Sequence, residues 1–96
     1  MTESTIHDLK LNTKYYDDVI LRNKTFELRE NDRRYKVGDL IKLNEWTGTE
    51  YTGRKSLFKI IYVLSDCEGL KKKYAILGIE PIKNIDDLIN FLEVTL

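Results

Sequence analysis

Five segments of the chain have a strand-like pattern of apolar residues, at residues 6–11, 24–29, 40–46, 55–64 and 74–79. In the first two, apolar residues recur at every second position, a spacing typical of strands with one buried face. The fourth segment is the richest in β-branched and aromatic residues and gives the strongest strand signal. Pro81 is expected to stop the last strand, because proline cannot donate a ladder hydrogen bond.

Helical spacing appears in two places. The first helix is predicted to have Thr13 as its cap and to run to about Arg22, with Asn23 as a left-handed terminator. The second is predicted at residues 84–94, where Asn84 caps a segment with an apolar stripe.

The resulting order is β-α-β-β-β-β-α, and a length of 96 residues predicts one domain, residues 1–96. Four consecutive strands with hairpin-like connections, including a loop at residues 47–53, favour an antiparallel or mixed sheet curled toward a barrel. The helices would cover the openings. The predicted class is therefore α+β, a small β-barrel with a helix after the first strand and an added C-terminal helix.

Charge and composition narrow the functional classes. The 16 basic and 16 acidic residues balance, so the whole chain is not a strongly basic nucleic-acid binder, although residues 20–75 carry a basic excess. Cys67 is the one cysteine, which excludes an internal disulfide and fits a reducing compartment. No apolar run approaches a membrane span, and the polar start lacks the layout of a signal peptide. We therefore expect a soluble, cytoplasmic protein without a membrane partner.

Several kinds of site are absent from the sequence. One histidine and one cysteine cannot build a structural zinc site of the usual kind. There is no glycine-rich phosphate loop, nucleophile elbow or dinucleotide fingerprint. We predict neither a metal nor a cofactor.

The second predicted strand carries the first candidate site. Phe26 and Leu28 share one of its faces, and Glu27 and Arg29 share the other, with Lys24 at the start. Lysine and arginine could donate to a polar planar ligand while the carboxylate accepts, or serves as a base. The alternative is an ordinary solvent-exposed face of alternating charges, which the pattern alone favours.

Two other groups of residues are weaker candidates. Trp46, Tyr51 and Arg54 surround the predicted hairpin loop, where aromatic rings could stack on unpaired bases and the guanidinium could meet a phosphate. Alternatively, Trp46 closes one end of the core and Tyr51 packs against it. His7 shares a face with apolar neighbours, which is more typical of a hydrogen-bonded residue at the edge of the core than of a catalyst.

Spacing over a longer stretch adds a resemblance. The run Lys24-x-x-Glu27-x-Arg29 resembles the core signature of the ASCH domain (activating signal cointegrator homology) of the PUA-like superfamily. The similarity extends over residues 6–79 to a bacterial and phage branch, through His7-x-Leu9-Lys10, Tyr15-Tyr16, Asn31-Asp32-Arg33, Val37-Gly38-Asp39, Glu45-Trp46, Tyr51-Thr52-Gly53-Arg54, Ile60-Ile61-Tyr62-Val63-Leu64 and Tyr74-Ala75-Ile76-Leu77-Gly78-Ile79.

The resemblance implies a small β-barrel with a helix over its mouth and a cleft lined by Lys24, Glu27 and Arg29. It also implies RNA binding, while a few relatives hydrolyse modified nucleosides. Pattern and resemblance together give these candidate binding residues: Lys24, Glu27, Arg29, Asn31, Asp32, Arg33, His7, Trp46, Tyr51 and Arg54.

The chain departs from the ASCH pattern at two positions. Arg22 stands where the family usually has glycine. Glu27 stands where the hydrolase relatives have a threonine, so their nucleophile is absent from its place. The leading hypothesis is therefore a module that binds RNA or a nucleotide.

Two alternatives stay open. One is a small hydrolase acting on a modified nucleoside or RNA, with Glu27 as base and Lys24 stabilising negative charge. The other is a protein-interaction module that docks a partner through the C-terminal helix or a sheet edge.

Overall fold

A five-stranded sheet, curled into a half-barrel, and one short helix make up the described part of the computed structural model, residues 5–82. The elements are β1 (Ile6–Asn12), α1 (Thr13–Ile20), β2 (Phe26–Glu30), β3 (Leu40–Trp46), β4 (Tyr51–Ser65) and β5 (Tyr74–Pro81). The predicted helix at residues 84–94 lies outside the described residues. Across residues 5–82, no helix has the length and apolar character needed to cross a membrane.

The strand order across the sheet is β1-β3-β4-β5-β2. β3, β4 and β5 form an antiparallel meander, whereas β1 runs parallel to β3. β2 pairs antiparallel with β5 and not with β3, so the predicted hairpin-like connection between the second and third strands is wrong. The coarse prediction of a curled mixed sheet with a helix after the first strand is confirmed. Because β1 and β2 are consecutive strands at opposite edges, α1 connects one edge to the other.

The two edge strands face each other across a gap, which we call the seam. Arg29 on β2 donates from Nη2 to the backbone carbonyl oxygen of Lys10 on β1, at 2.5 Å. This bond joins the two sheet edges through a side chain instead of a backbone ladder. The seam is therefore a place where polar side chains can be held close to the core.

The core lies inside the curl of the sheet. Helix α1 contributes Tyr16 and Val19 to it, and both are fully buried. The remaining members come from the strands and the loop after β2: Leu9, Leu11, Tyr35, Ile41, Leu43, Phe58, Ile60, Ala75, Leu77 and Ile79.

Strand β2 turns its charged face toward this core. Glu27 is 2% exposed and lies opposite Leu77 of β5, whereas Phe26 and Leu28 are 45% and 53% exposed on the outer face. The structure therefore differs from the alternative of an ordinary solvent-exposed charged face, which the pattern alone favours. The Glu27 carboxylate can be buried because Lys24 and Arg29 pair with it, and without these cations its burial would be strongly unfavourable.

The residues at both ends of α1 differ from prediction: the cap and the left-handed residue each shift by one position, and the helix ends at Ile20 and not near Arg22. Asn12, not Thr13, is the N-cap, and its side chain accepts a hydrogen bond from the backbone N–H of Lys14 at 2.8 Å. After the helix, Arg22 has a φ of 65°, so Arg22 and not Asn23 takes the left-handed conformation. The position at which the ASCH pattern has glycine is thus the position that needs glycine-like backbone freedom.

Replacing Arg22 with glycine is expected to raise the free energy of unfolding by about 1 kcal/mol, because a left-handed side-chain-bearing residue is strained by about that amount. Within residues 5–82, Arg22 Nη1 is also buried without a hydrogen-bond partner, and its loss removes that cost. Urea unfolding measures the change. The matched control is Leu21→Gly, where φ is −81° and glycine should destabilise. Equal losses in both variants would contradict the strain argument.

Strand β4 starts earlier than its pattern predicted. It begins at Tyr51 instead of Lys55, so the hairpin turn between β3 and β4 shortens to residues 47–50. Tyr51 pairs with Trp46 across this hairpin. The two aromatic residues are therefore fixed on neighbouring strands rather than carried on a loop.

Candidate functional site

Three charged residues of the signature meet beside the seam. Glu27 Oε1 lies 2.5 Å from Lys24 Nζ, and Glu27 Oε2 lies 3.1 Å from Arg29 Nε and 3.0 Å from Arg29 Nη2. Arg29 shares a face with Glu27 because the two are separated by one strand residue. Lys24 precedes β2, and its long side chain reaches back to the same carboxylate. One buried anion thus holds two cations that are each about one-fifth exposed.

Lys24 is further fixed by its surroundings. Its ammonium group donates to the carbonyl oxygen of Phe26 at 2.7 Å. It also lies 4.9 Å from the ring centroid of Phe26 and 5.5 Å from that of Tyr15, within the range of cation–π attraction. The two rings and the ammonium group therefore form one cluster beside the buried carboxylate.

A concave space of about 690 Å³, the main cleft, opens between α1, β1 and β2. Its lining residues are Lys10, Leu11, Asn12, Tyr15, Asp18, Asn23, Lys24, Phe26, Glu27, Leu28 and Arg29. This volume lies in the range of small-molecule sites, and the mixture of apolar walls with a few polar groups is typical of them. Lys24, Glu27 and Arg29 therefore share one open cleft.

A second concave space of about 350 Å³, the side groove, lies along the same seam. Its lining residues are Asp8, Leu9, Lys10, Arg29, Glu30, Asp32, Arg33, Tyr35 and Tyr51. Lys10 and Arg29 line both spaces. The hydrogen bond between these two residues thus marks the boundary between the main cleft and the side groove.

Tyr35 is the most deeply buried polar side chain in the side groove, at 5% exposure. Burial raises the pKa of its hydroxyl, and nearby Arg29 and Arg33 partly oppose that rise. In the described part of the chain, this hydroxyl makes no hydrogen bond to another protein group. Among the described residues, its hydrogen-bonding capacity is therefore unused.

Lys10 carries a second cluster of a cation with aromatic rings. Its ammonium group lies 3.9 Å from the ring centroid of Trp46 and 5.7 Å from that of Tyr51. Trp46 and Tyr51 contact each other edge to face at 4.8 Å. Tyr51 is 55% exposed and lines the side groove, so one face of the cluster is available to solvent.

Arg54 does not join these spaces but connects the helix to the sheet. Its guanidinium donates to both oxygens of the buried Glu45, at 2.8 and 2.9 Å, and to Asp17 of α1 at 3.0 Å. The hydrogen bonds from Arg54, followed by that from Thr52, lower the pKa of the Glu45 carboxyl. Its Nε and Nη2 donors are paired to carboxylates, while the side chain stays 53% exposed and lines a separate concave space of about 450 Å³ with Tyr51. The phosphate contact of Arg54 stays a prediction.

Two other candidates also lie apart from the main cleft. His7 is buried, and its Nε2 is 2.8 Å from Asp39 Oδ2, with its ring edge-on to Tyr35. Asn31 accepts a hydrogen bond from the backbone N–H of Tyr35 and donates its own backbone N–H to the carbonyl oxygen of Lys73. His7 and Asn31 therefore organise the loops around the site and do not line either space.

Sequence reasoning missed four residues that shape the two spaces: Lys10, Tyr15, Phe26 and Tyr35. Lys10 and Tyr15 lie within the run that resembles the ASCH pattern but carried no assigned role. The alternation of β2 places Phe26 on the face opposite Glu27 and gives no sign that its ring also lines the main cleft. Tyr35 had no signal, because its position depends on how the loop after β2 folds against β1.

The geometry of Lys24, Glu27 and Arg29 suits the binding of a ligand better than the transfer of a proton. Both oxygens of Glu27 already accept hydrogen bonds from the two cations, so the carboxylate holds donors in position. Across residues 5–82, no group of three or more histidine, cysteine, aspartate or glutamate residues is arranged to hold a metal ion.

Comparison with known proteins gives the class of this chain. A family model described as a domain of unknown function, DUF3850, matches residues 6–79, so the chain belongs to that family. A curated relative, described as an uncharacterised 12.9 kDa protein in the GpA 3′ region of Escherichia phage P2, is 46% identical over 50 residues. That match covers 52% of this chain and 46% of the phage protein, so it spans about half the length of each.

Proposed function

We propose that this protein is an ASCH-type domain that binds RNA or a nucleotide in the main cleft. The observation that carries the proposal is the convergence of Lys24, Glu27 and Arg29 in an open cleft flanked by two half-exposed rings. Natural sequences bury charged strand faces rarely, and departures from local folding rules are expected at functional sites. In β2 the apolar residues Phe26 and Leu28 lie on the outer face, and Glu27 of the triad is buried on the inner face.

The groups around the main cleft match the parts of a nucleotide. Tyr15 and Phe26 offer ring faces on which an unpaired base can stack. Lys24 and Arg29 provide donors for a phosphate or for base acceptors. Glu27 keeps the two donors fixed, which reduces the ordering cost of binding.

A hydrolase with Glu27 as base is less well supported by this geometry, because Lys24 and Arg29 already occupy both carboxylate oxygens. The interaction hypothesis based on residues 84–94 concerns a segment outside the described residues. Neither alternative has a contact in the described structure that favours it over binding.

Lys24→Met is expected to weaken binding of a mixed-sequence single-stranded RNA by about tenfold, the cost of one charge-assisted hydrogen bond. Methionine keeps an aliphatic stem between Tyr15 and Phe26 while removing the charge. Fluorescence anisotropy measures affinity, and backbone amide shifts locate the contact at the main cleft. Lys72→Met, on the exposed loop before β5, is the matched control.

Two results would overturn the proposal. One is an absence of amide shifts in β2 and α1 with both RNA and nucleoside monophosphates. The other is an equal loss of affinity in Lys24→Met and Lys72→Met, because a general loss of positive charge would then explain the effect.

A further inference from the structure

The side groove continues the main cleft past the hydrogen bond between Arg29 and the Lys10 carbonyl. A single nucleoside bound in the main cleft would leave the side groove empty. From the paired spaces we infer that the ligand is a single-stranded oligonucleotide, with a second nucleoside held in the side groove by Tyr51 and Tyr35. This inference rests on the function proposed above.

The side groove is built to recognise uncharged parts of a nucleotide. The formal charges of its lining residues cancel, with Lys10, Arg29 and Arg33 against Asp8, Glu30 and Asp32. A phosphate inside the side groove would therefore meet as many carboxylates as cations, whereas the hydroxyl and amino groups of a nucleoside would find acceptors.

Two groups in the side groove have capacity left for a ligand. Tyr51 exposes a ring face that is held in place by Trp46, and such a ring can stack on a base of any identity. The Tyr35 side chain is 5% exposed and lines the side groove, and its hydroxyl has no hydrogen-bond partner in residues 5–82. A nucleoside edge or a ribose hydroxyl would satisfy it.

The boundary between the two spaces suits the phosphodiester that joins the nucleosides. Lys10 and Arg29 line both spaces, and Lys10 keeps its ammonium group on the surface over Trp46. A phosphate at this point meets two cations and lies between the two stacking clusters. Two clusters of one lysine with two aromatic rings thus lie along the seam. The first is Lys24 with Tyr15 and Phe26, and the second is Lys10 with Trp46 and Tyr51.

The test compares a mixed-sequence tetranucleotide RNA pool with the four ribonucleoside 5′-monophosphates by calorimetry. The natural protein should bind the pool at least about tenfold more tightly, since two linked contacts act together. Tyr51→Ala should remove most of this advantage and leave monophosphate affinity unchanged. Tyr62→Ala is the matched control, because Tyr62 is similarly exposed, at 61%, on the outer face of β4.

Tyr35→Phe supplies a second readout that does not depend on an exposed residue. It should leave the unfolding midpoint unchanged, because the hydroxyl has no partner within residues 5–82, yet lower affinity for the pool several-fold. Monophosphates binding as tightly as the pool, with Tyr51→Ala and Tyr35→Phe both neutral, would overturn the second subsite alone. No binding of either ligand would instead overturn the proposed function on which it rests.

Discussion

Glu27→Ala is expected to lower the free energy of unfolding by about 3 kcal/mol, as removal of one partner from a buried ion pair does. The substitution leaves Lys24 and Arg29 without their shared anion, next to a void against the core. The estimate lies at the lower end of the range for buried pairs because both cations are about one-fifth exposed and can recover some hydration. Urea denaturation followed by circular dichroism measures the change.

Glu30→Ala is the matched control, since Glu30 lies on the same strand but is exposed. Its effect should stay within about 0.5 kcal/mol, the usual size for surface substitutions. Glu27→Gln should fall between the two, because the amide oxygen still accepts a hydrogen bond while the negative charge is lost. Similar stabilities for Glu27→Ala and Glu30→Ala would contradict a role for the triad in holding β2 at the sheet edge.

The position of the triad along the chain could be predicted from the sequence, but not the face of the sheet on which it lies. Strand periodicity places Glu27 and Arg29 on one face, and the spacing to Lys24 adds the third member. Hydrophobicity then favours burying Phe26 and Leu28, and the structure does the reverse. The reason is nonlocal: β2 lies at an edge, where the inner face opens onto the seam and cations can reach the buried carboxylate.

The arrangement of strands shows the same division between local and nonlocal information. The hairpins β3–β4 and β4–β5 follow from turn signals and alternation, and the structure contains both. The pairing of β2 with β5 brings together Phe26 and Gly78, which are far apart in sequence and share no local signal. That pairing puts β2 at the sheet edge opposite β1, and strand alternation gives no sign that Lys10 and Tyr15 line the same cleft as β2.

At both ends of α1, neighbouring residues compete for the same capping role, and this explains why the observed residues differ from the predicted ones. Asn12 and Thr13 are both good capping residues, and the strand before the helix ends at Asn12, whose side chain reaches the first free backbone N–H. Asn23 adopts left-handed geometry more readily than arginine, yet Arg22 takes it, at the point where the backbone N–H groups of Arg22 and Lys24 donate back to the carbonyl oxygens of Val19 and Asp18. Tertiary placement overrides residue preference at both ends of α1.

Arg29→Ala is expected to have the largest effect on ligand binding, a loss of about 30-fold in affinity for single-stranded RNA, or about 2 kcal/mol. Arg29 lines both the main cleft and the side groove, so its removal affects every contact along the seam. It also removes the hydrogen bond to the Lys10 carbonyl that joins the two edges. Stability should fall by about 2 kcal/mol, since Glu27 keeps Lys24 as a partner. Calorimetry and urea unfolding on the same variant separate the two effects.

Two further variants identify which property of Arg29 matters. Arg33→Ala removes a cation from the side groove without touching Glu27, so its affinity should fall less and its stability should not change measurably. Arg29→Lys keeps the charge, but one ammonium group cannot span both Glu27 and the Lys10 carbonyl as a planar guanidinium does. It should therefore recover only a minor part of the lost stability and affinity. Full recovery by lysine would show that charge alone is required, and that the bridge across the seam does not organise the site.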